Sequence, residues 1–198
     1  MKLYVLRHED RTMDLTFFSP LTKNGLEKSI ELIKHLEKEK INTIYSSPYI
    51  RTLQTVYPYA KKYNINPKLE YSLVELYQED NIPKKSYQIT LPEYLAESFN
   101  YDNEYKSIII PSDVTFPEPV SDFSNRVKKF IRNIIRNNYK EDKNILLVTH
   151  QGVIDVILHL VSKHNKELRN ETNELKYPKG ALTRIFEDND WSFKKLNW

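Results

Sequence analysis

The chain has 198 residues, of which 39% are hydrophobic and 29% charged, with a formal net charge of +3. With 3 glycines and 10 prolines it is not a low-complexity chain, and without cysteine it can form no disulfide, thiol nucleophile or thiolate-ligated zinc site. The mild positive charge does not point to nucleic acid, and no apolar run approaches the ~20 residues that span a bilayer. Charges at Lys2 and Arg7 interrupt any signal-peptide centre, so a cytoplasmic protein with no membrane or nucleic-acid partner is expected.

In chain order, LYVL (Leu3 to Leu6) reads as a short buried strand. The next segment, SPLTKNGLEKSIELIKHLEKEK, places Leu26, Ile30, Ile33 and Leu36 at helical spacing, which predicts an amphipathic helix facing inward through those four residues, with Thr22 near its start. INTIYSS (Ile41 to Ser47) reads as a second strand. PYIRTLQTVYPYAKKY reads as a second helix that Pro58 should kink or end. INPKLEYSLVEL holds a short third strand and a loop. Residues ~78 to 117 lack a period, and a patternless stretch of that length predicts a cap with helical pieces of its own. A helix follows with Val127, Phe130, Ile131, Ile134 and Ile135 on its apolar face. Then come a buried strand, Asn144 to His150, and an apolar helix. GALTRIFED and WSFKKLN alternate as a closing hairpin with Asn189 and Asp190 near its turn.

Strands that alternate with helices imply a three-layer α/β/α sandwich around a mostly parallel sheet, with an antiparallel edge strand. The whole chain, 1–198, reads as one domain with an insertion at about 78–117. In such sheets ligands bind beyond the carboxyl ends of the strands. Those ends carry Arg7 and His8, then Ser46 and Ser47 with Arg51 a turn into the next helix, then Glu75, and finally Thr149 and His150. Each residue alone has an ordinary explanation. Their shared placement at strand ends does not.

These residues resemble the histidine phosphatase superfamily, the phosphoglycerate-mutase-like group. The resemblance runs through LRHE, PLTKNG, SSPYIRTLQT, LVE, VTHQG and the closing PKGALTRIFEDNDWSFKKLNW, in order along the chain except at ~78 to 117. It implies a phosphoglycerate mutase-like fold and a metal-independent phosphomonoester phosphatase that works through a phosphohistidine, with no cofactor. His8 would be the nucleophile, Arg7 and Arg51 the phosphate-binding forks, His150 a donor to the transferring group and Glu75 the general acid. Arg11 completes an R-H-x-x-R pattern and is a further phosphate-binding candidate. A phosphorylated small molecule or phosphoprotein would be the substrate. The sequence leaves the oligomeric state unread, and the aromatic residues of the cap, Tyr87, Tyr94, Phe99, Tyr101 and Tyr105, would pack the cap or stack on a leaving group.

Two departures keep alternatives open. ELYQEDN lacks the Gly and Trp that often follow the acid in the mutase branch, whereas Gln151 is similar to a sugar bisphosphatase. Glu9 stands where the family usually has Gly, which admits a pseudo-enzyme that binds a phosphorylated partner without turnover. A carboxylate facing the pocket would repel a phosphate dianion and favour a protonated His8. Glu9 is therefore expected to turn away from the phosphate and to pair with a cation such as Arg11.

Overall fold

A computed structural model describes residues 1–14, 16–78, 89–164 and 177–198. Six strands form one sheet in the order β3-β2-β4-β1-β5-β6. They are β1 (Lys2–Arg7), β2 (Thr43–Ser46), β3 (Lys68–Leu69), β4 (Asn144–Thr149), β5 (Leu182–Glu187) and β6 (Asp190–Lys195). The four strands β3, β2, β4 and β1 are parallel. β5 lies antiparallel against β1, and β6 antiparallel against β5. The reversed strand is thus one place in from the edge, and the edge strand runs with the parallel set.

Alternation along β1 sorts its side chains into the two faces. Leu3 and Val5 join a core with α5 (Val120–Asn138) and α6 (Gln151–His164). Tyr4 and Leu6 join a core with α1 (Lys23–Glu31), α2 (Ile33–Lys38) and α3 (Ile50–Lys62). Each such apolar side chain contributes roughly 1.5–3 kcal/mol by leaving water. A third cluster, with Phe17, Tyr49, Leu53, Val74, Tyr77, Leu91 and Val114, packs the irregular segment over the carboxyl ends of the strands. Among its described residues that segment has α4 (Glu93–Ala96) and two 3-10 turns, Glu97–Phe99 and Pro111–Asp113.

Buried carboxylates tie this segment down. Glu70 accepts from Tyr105 Oη (2.6 Å), Ser107 Oγ (2.8 Å) and the Ile108 amide (3.2 Å). Glu118 makes a two-pronged pair with Arg126 at 2.7 Å on each arm. Phe99 and Tyr101 pack in the third cluster, Tyr94 is exposed, and Tyr87 lies outside the described residues.

Three local expectations need correction. Leu26 and Ile30 do not face inward; both are exposed, and Gly25, Ser29, Leu32 and Leu36 are buried instead. Small residues let the helix approach the chain after β1 closely, so packing there overrides the apolar period. The helix is also divided at Leu32, which keeps a right-handed helical backbone. Pro58 does not end α3, which runs on to Lys62. Tyr59 and Ala60 are buried just beyond it, and Tyr59 Oη donates to the Ile41 carbonyl at 2.8 Å, which holds that last turn in place. The closing hairpin turns at Asp188 and Asn189, both with positive φ (52° and 68°), one residue earlier than expected.

Candidate active site

Sheet register brings the two histidines together. Arg7 of β1 sits opposite Thr149 of β4, so the next residues, His8 and His150, are cross-strand neighbours. The His8 amide donates to the Thr149 carbonyl at 3.0 Å, and the rings meet edge-on with centroids 5.3 Å apart. On the other side of β4, Ser46 of β2 pairs with Val148, which places Ser47 beside His150. Arg51 follows on the first turn of α3, stacked over the Tyr49 ring at 4.5 Å while its Nη1 donates to the Thr16 carbonyl at 2.9 Å. Arg7 Nη1 donates to the Tyr177 carbonyl at 2.5 Å, and Arg11 Nη1 to the Thr12 carbonyl at 2.6 Å.

Glu75 reaches the same place by a different route. After β3, the 3-10 turn Tyr71–Leu73 carries the chain across the end of β4. Thr149 Oγ1 donates to the Leu73 carbonyl (2.8 Å) and Arg126 Nη1 to the Ser72 carbonyl (2.9 Å), which fixes the turn. The Glu75 carboxylate then accepts from the amides of Leu76 (3.0 Å) and Gly152 (3.3 Å). A Cβ at Gly152 would come within 2.5 Å of Glu75 Oε1, so only glycine lets α6 begin so near the carboxylate.

Arg7, His8, Arg11, Arg51 and Glu75 line one cavity of about 520 Å³. His150 does not; it is fully buried directly behind that wall. His8 is only 4% exposed. Its Nδ1 lies 2.7 Å from the Glu9 carbonyl. A carbonyl only accepts, so Nδ1 carries the proton and Nε2 carries the lone pair. Burial, then the Arg51 charge, holds His8 well below the ordinary imidazole value of 6.5, and the same two causes act on His150. Burial pushes Glu75 above the ordinary carboxylate value, against the pull of its two amide donors and Arg51. His150 Nε2 lies 2.9 Å from Ser47 Oγ. His150 Nδ1, Arg7 Nε and Arg51 Nε are buried with no hydrogen-bond partner among the described residues. Two of these unpartnered nitrogens belong to the guanidinium groups of Arg7 and Arg51, and with Arg11 the cavity has three permanently charged forks suited to an oxyanion.

Glu9 does turn away from this cavity, but its partner is not Arg11. Arg11 faces the cavity in front of His8, whereas the Glu9 carboxylate lies against Gly180, in a second cavity of about 210 Å³ that also holds Lys28 and His35. Burial raises the Glu9 carboxyl and Lys28 opposes that shift. Sequence reasoning also passed over Ser47 as a partner of His150, and over Asp155, which lines the catalytic cavity and accepts from Gln151 Nε2 at 2.6 Å. Asp155 was within reach of a pattern argument: it lies four residues after Gln151 and so on the same helix face. Lys179, paired with Asp10, closes the same rim and had no local signal.

The family model for the histidine phosphatase superfamily (branch 1) matches residues 9–198. The chain belongs to the histidine phosphatase superfamily. The matched span opens one residue after His8, so Arg7 and His8 are placed by the strand register described above. Solved structures of phosphatases share the fold of this superfamily member. The ecdysone phosphate phosphatase of Bombix mori, in complex with tungstate, matches with a TM-score of 0.76 at 17% identity, over 97% of this chain and 91% of that one. The mycobacterial glucosyl-3-phosphoglycerate phosphatase matches at 0.67 and 15% identity, over 99% and 98%. The alpha-ribazole phosphatase of Shigella flexneri matches at 0.67 and 19% identity, over 100% and 96%. A curated relative, the transcription factor tau 55 kDa subunit of Saccharomyces cerevisiae, is 32% identical over 141 residues, 66% of this chain. The matched region spans 31% of that longer protein.

Proposed function

We propose that the protein is a phosphomonoester phosphatase that acts through a phosphohistidine on His8 and needs no metal. The observation that carries this reading is the state of His8: its proton is fixed on Nδ1 by the Glu9 carbonyl at 2.7 Å, and its ring is held neutral by burial. Nε2 can then attack phosphorus as the P–O bond to the leaving group breaks. Arg7, Arg51 and Arg11 balance the charge on the phosphoryl oxygens. Ser47 donating to His150 Nε2 would leave a proton on Nδ1, which the phosphoryl group takes as a hydrogen bond once substrate draws the ring forward from behind the cavity wall. Glu75, whose carboxyl burial pushes above the ordinary carboxylate value, gives its proton to the leaving oxygen. Its carboxylate then takes a proton from water as that water attacks phosphorus; the P–N bond breaks, its electron pair returns to Nε2 of His8, and phosphate is released.

The substrate is a phosphorylated small molecule or a phosphoprotein, and the structural neighbours, which are phosphatases, support the hydrolytic reading over the mutase one. The pseudo-enzyme reading rested on a carboxylate facing the phosphate, and Glu9 faces elsewhere. Enzyme mixed with labelled aryl phosphate and denatured under alkaline conditions, where phosphohistidine survives, should carry label on His8. Steady turnover with no trapped label, or label on another residue, would overturn the mechanism.

A further inference from the structure

A second cationic concavity lies outside the cavity in front of His8 and, among the described residues, shares no lining residue with it. Lys128, Lys129, Arg132 and Arg136 of α5, with Asn133 and Ile108, border a concavity of about 450 Å³. Four cations there exceed the whole chain's net charge of +3, so the rest of the molecule is slightly acidic. Among the described residues no carboxylate lines the groove. None of the four cations is in an ion pair among the described residues, and Arg136 has only the Asn133 side-chain oxygen at 3.3 Å. This contrasts with Arg126 on the buried face of the same helix, which is fully paired.

The spacing of these cations is unfavourable for the helix alone. Lys128, Arg132 and Arg136 follow one another at i,i+4, where like charges destabilise a helix by a few tenths of a kcal/mol per pair. An anion lying along the row would relieve that repulsion. The row spans eight residues, about 12 Å at 1.5 Å per residue. That length suits a compact cluster of phosphoryl groups better than an extended nucleic-acid strand. No aromatic ring lines the groove to stack on bases, and its concave shape does not match a flat membrane.

We propose that this groove binds a small organic polyphosphate, with three or more clustered phosphoryl groups held by the four cations and an amide. The site is independent of the catalytic reading. The test uses the His8→Ala protein, which prevents turnover, with orthophosphate present to occupy the catalytic cavity. Calorimetric titration with inositol hexakisphosphate and with ATP should show one saturable, salt-sensitive site for at least one of them. The Lys129→Glu/Arg132→Glu pair, and the milder Lys129→Gln/Arg132→Gln pair as a check against misfolding, should weaken it by roughly tenfold or more. In the His8 background-free protein the same pairs should leave aryl phosphate turnover unchanged. Absence of saturable binding by both probes would overturn the proposal. So would binding that is lost in Arg51→Ala but survives both charge-changing pairs, or binding confined to a single-stranded oligonucleotide or anionic vesicles.

Discussion

The cavity in front of His8 and the cavity behind it draw on the same five residues, Arg7 to Arg11, yet they differ in chemistry. In front, three guanidinium groups and two raised carboxyls, Glu75 and Asp155, face a space of about 520 Å³. Behind, Glu9 and Glu31 share about 210 Å³ with Lys28 and His35. Successive residues past the strand end face opposite sides, and His8 stands between the two. The front is arranged for a dianion. The back fixes the backbone from which His8 projects, through the Glu9 amide on Thr55 Oγ1 (2.9 Å) and the Gly180 amide on the Arg7 carbonyl (3.1 Å). If this division is right, changes in front should remove chemistry and changes behind should alter mainly stability.

The largest effect is expected at His8, which lines the front cavity. His8→Ala should abolish turnover while the circular dichroism spectrum stays that of the native protein. Substantial residual hydrolysis by this variant would mean that water, and not His8, attacks phosphorus. Next is Arg51→Ala, which removes a buried fork and leaves the phosphate charge uncompensated. A loss in kcat/KM of roughly 2–5 kcal/mol is expected, as when one partner of a buried charge pair is truncated. A loss below about tenfold would place Arg51 outside the phosphate contacts. Chelator should leave wild-type turnover unchanged, and strict dependence on magnesium would contradict a site in which arginines carry the charge.

Glu75 sets the pH dependence in front. His8 must be neutral to attack, and burial with Arg51 keeps it neutral to well below 6.5. Glu75 must be protonated to act as the acid, and burial raises it above 4.5. Both conditions hold together on the acid side of neutrality, so kcat/KM should be bell-shaped with its optimum there. Glu75→Gln should remove the alkaline limb and slow alkyl phosphates more than aryl phosphates, which need less protonation of the leaving oxygen. Equal losses on both substrates would point away from Glu75 as the acid. The same shifts act on stability. An unfolded chain takes up protons on His8 and His150 below about 6.5, and the folded chain resists them, so stability present above that value is lost as pH falls. His150→Asn should flatten that acid limb in a series of Tm measurements.

The front of the molecule was far more legible in the sequence than the back or the cap. Arg7, His8, Arg51, Glu75 and His150 all follow strand ends, and parallel ladders convert that one-dimensional fact into proximity. Position relative to the cavity wall was not legible, because whether His150 lines the pocket or lies behind it depends on ring orientation against Tyr49 and Ser47. Leu26 and Ile30 misled because helix period shows which residues share a face but not which face a neighbour can approach. The partner of Glu9 was set by residues 19 and 171 positions away, Lys28 and Gly180, which no local pattern joins to it.

The smallest expected effect is the sharpest test of the comparison. Glu9→Gly should leave kcat/KM within a few-fold of wild type, because the carboxylate faces away from the phosphate. Its effect on stability should be modest, since the variant loses packing against Gly180 but also removes a buried carboxylate. Burial raises that carboxyl, so its ionised form is a cost to the fold above about 4.5 and the protonated form is not. The drop in Tm relative to wild type should therefore be larger at mildly acidic than at mildly alkaline pH. Gly180→Ala probes the same contact from the other side. A Cβ there would sit 2.0 Å from Glu9 Oε1, on a backbone with φ of +73°. Either the Glu9 carboxylate or the turn that holds the Arg7 carbonyl must then shift, and with the added strain at positive φ the variant should lose Tm and some turnover. Adding Glu9→Gly to Gly180→Ala removes the clash and leaves only the backbone strain, so part of the loss should return. If the double variant is no better than Gly180→Ala alone, the contact does not couple the two cavities. If Glu9→Gly alone raises turnover by orders of magnitude, the carboxylate reaches the front after all, and the separation between the two cavities fails.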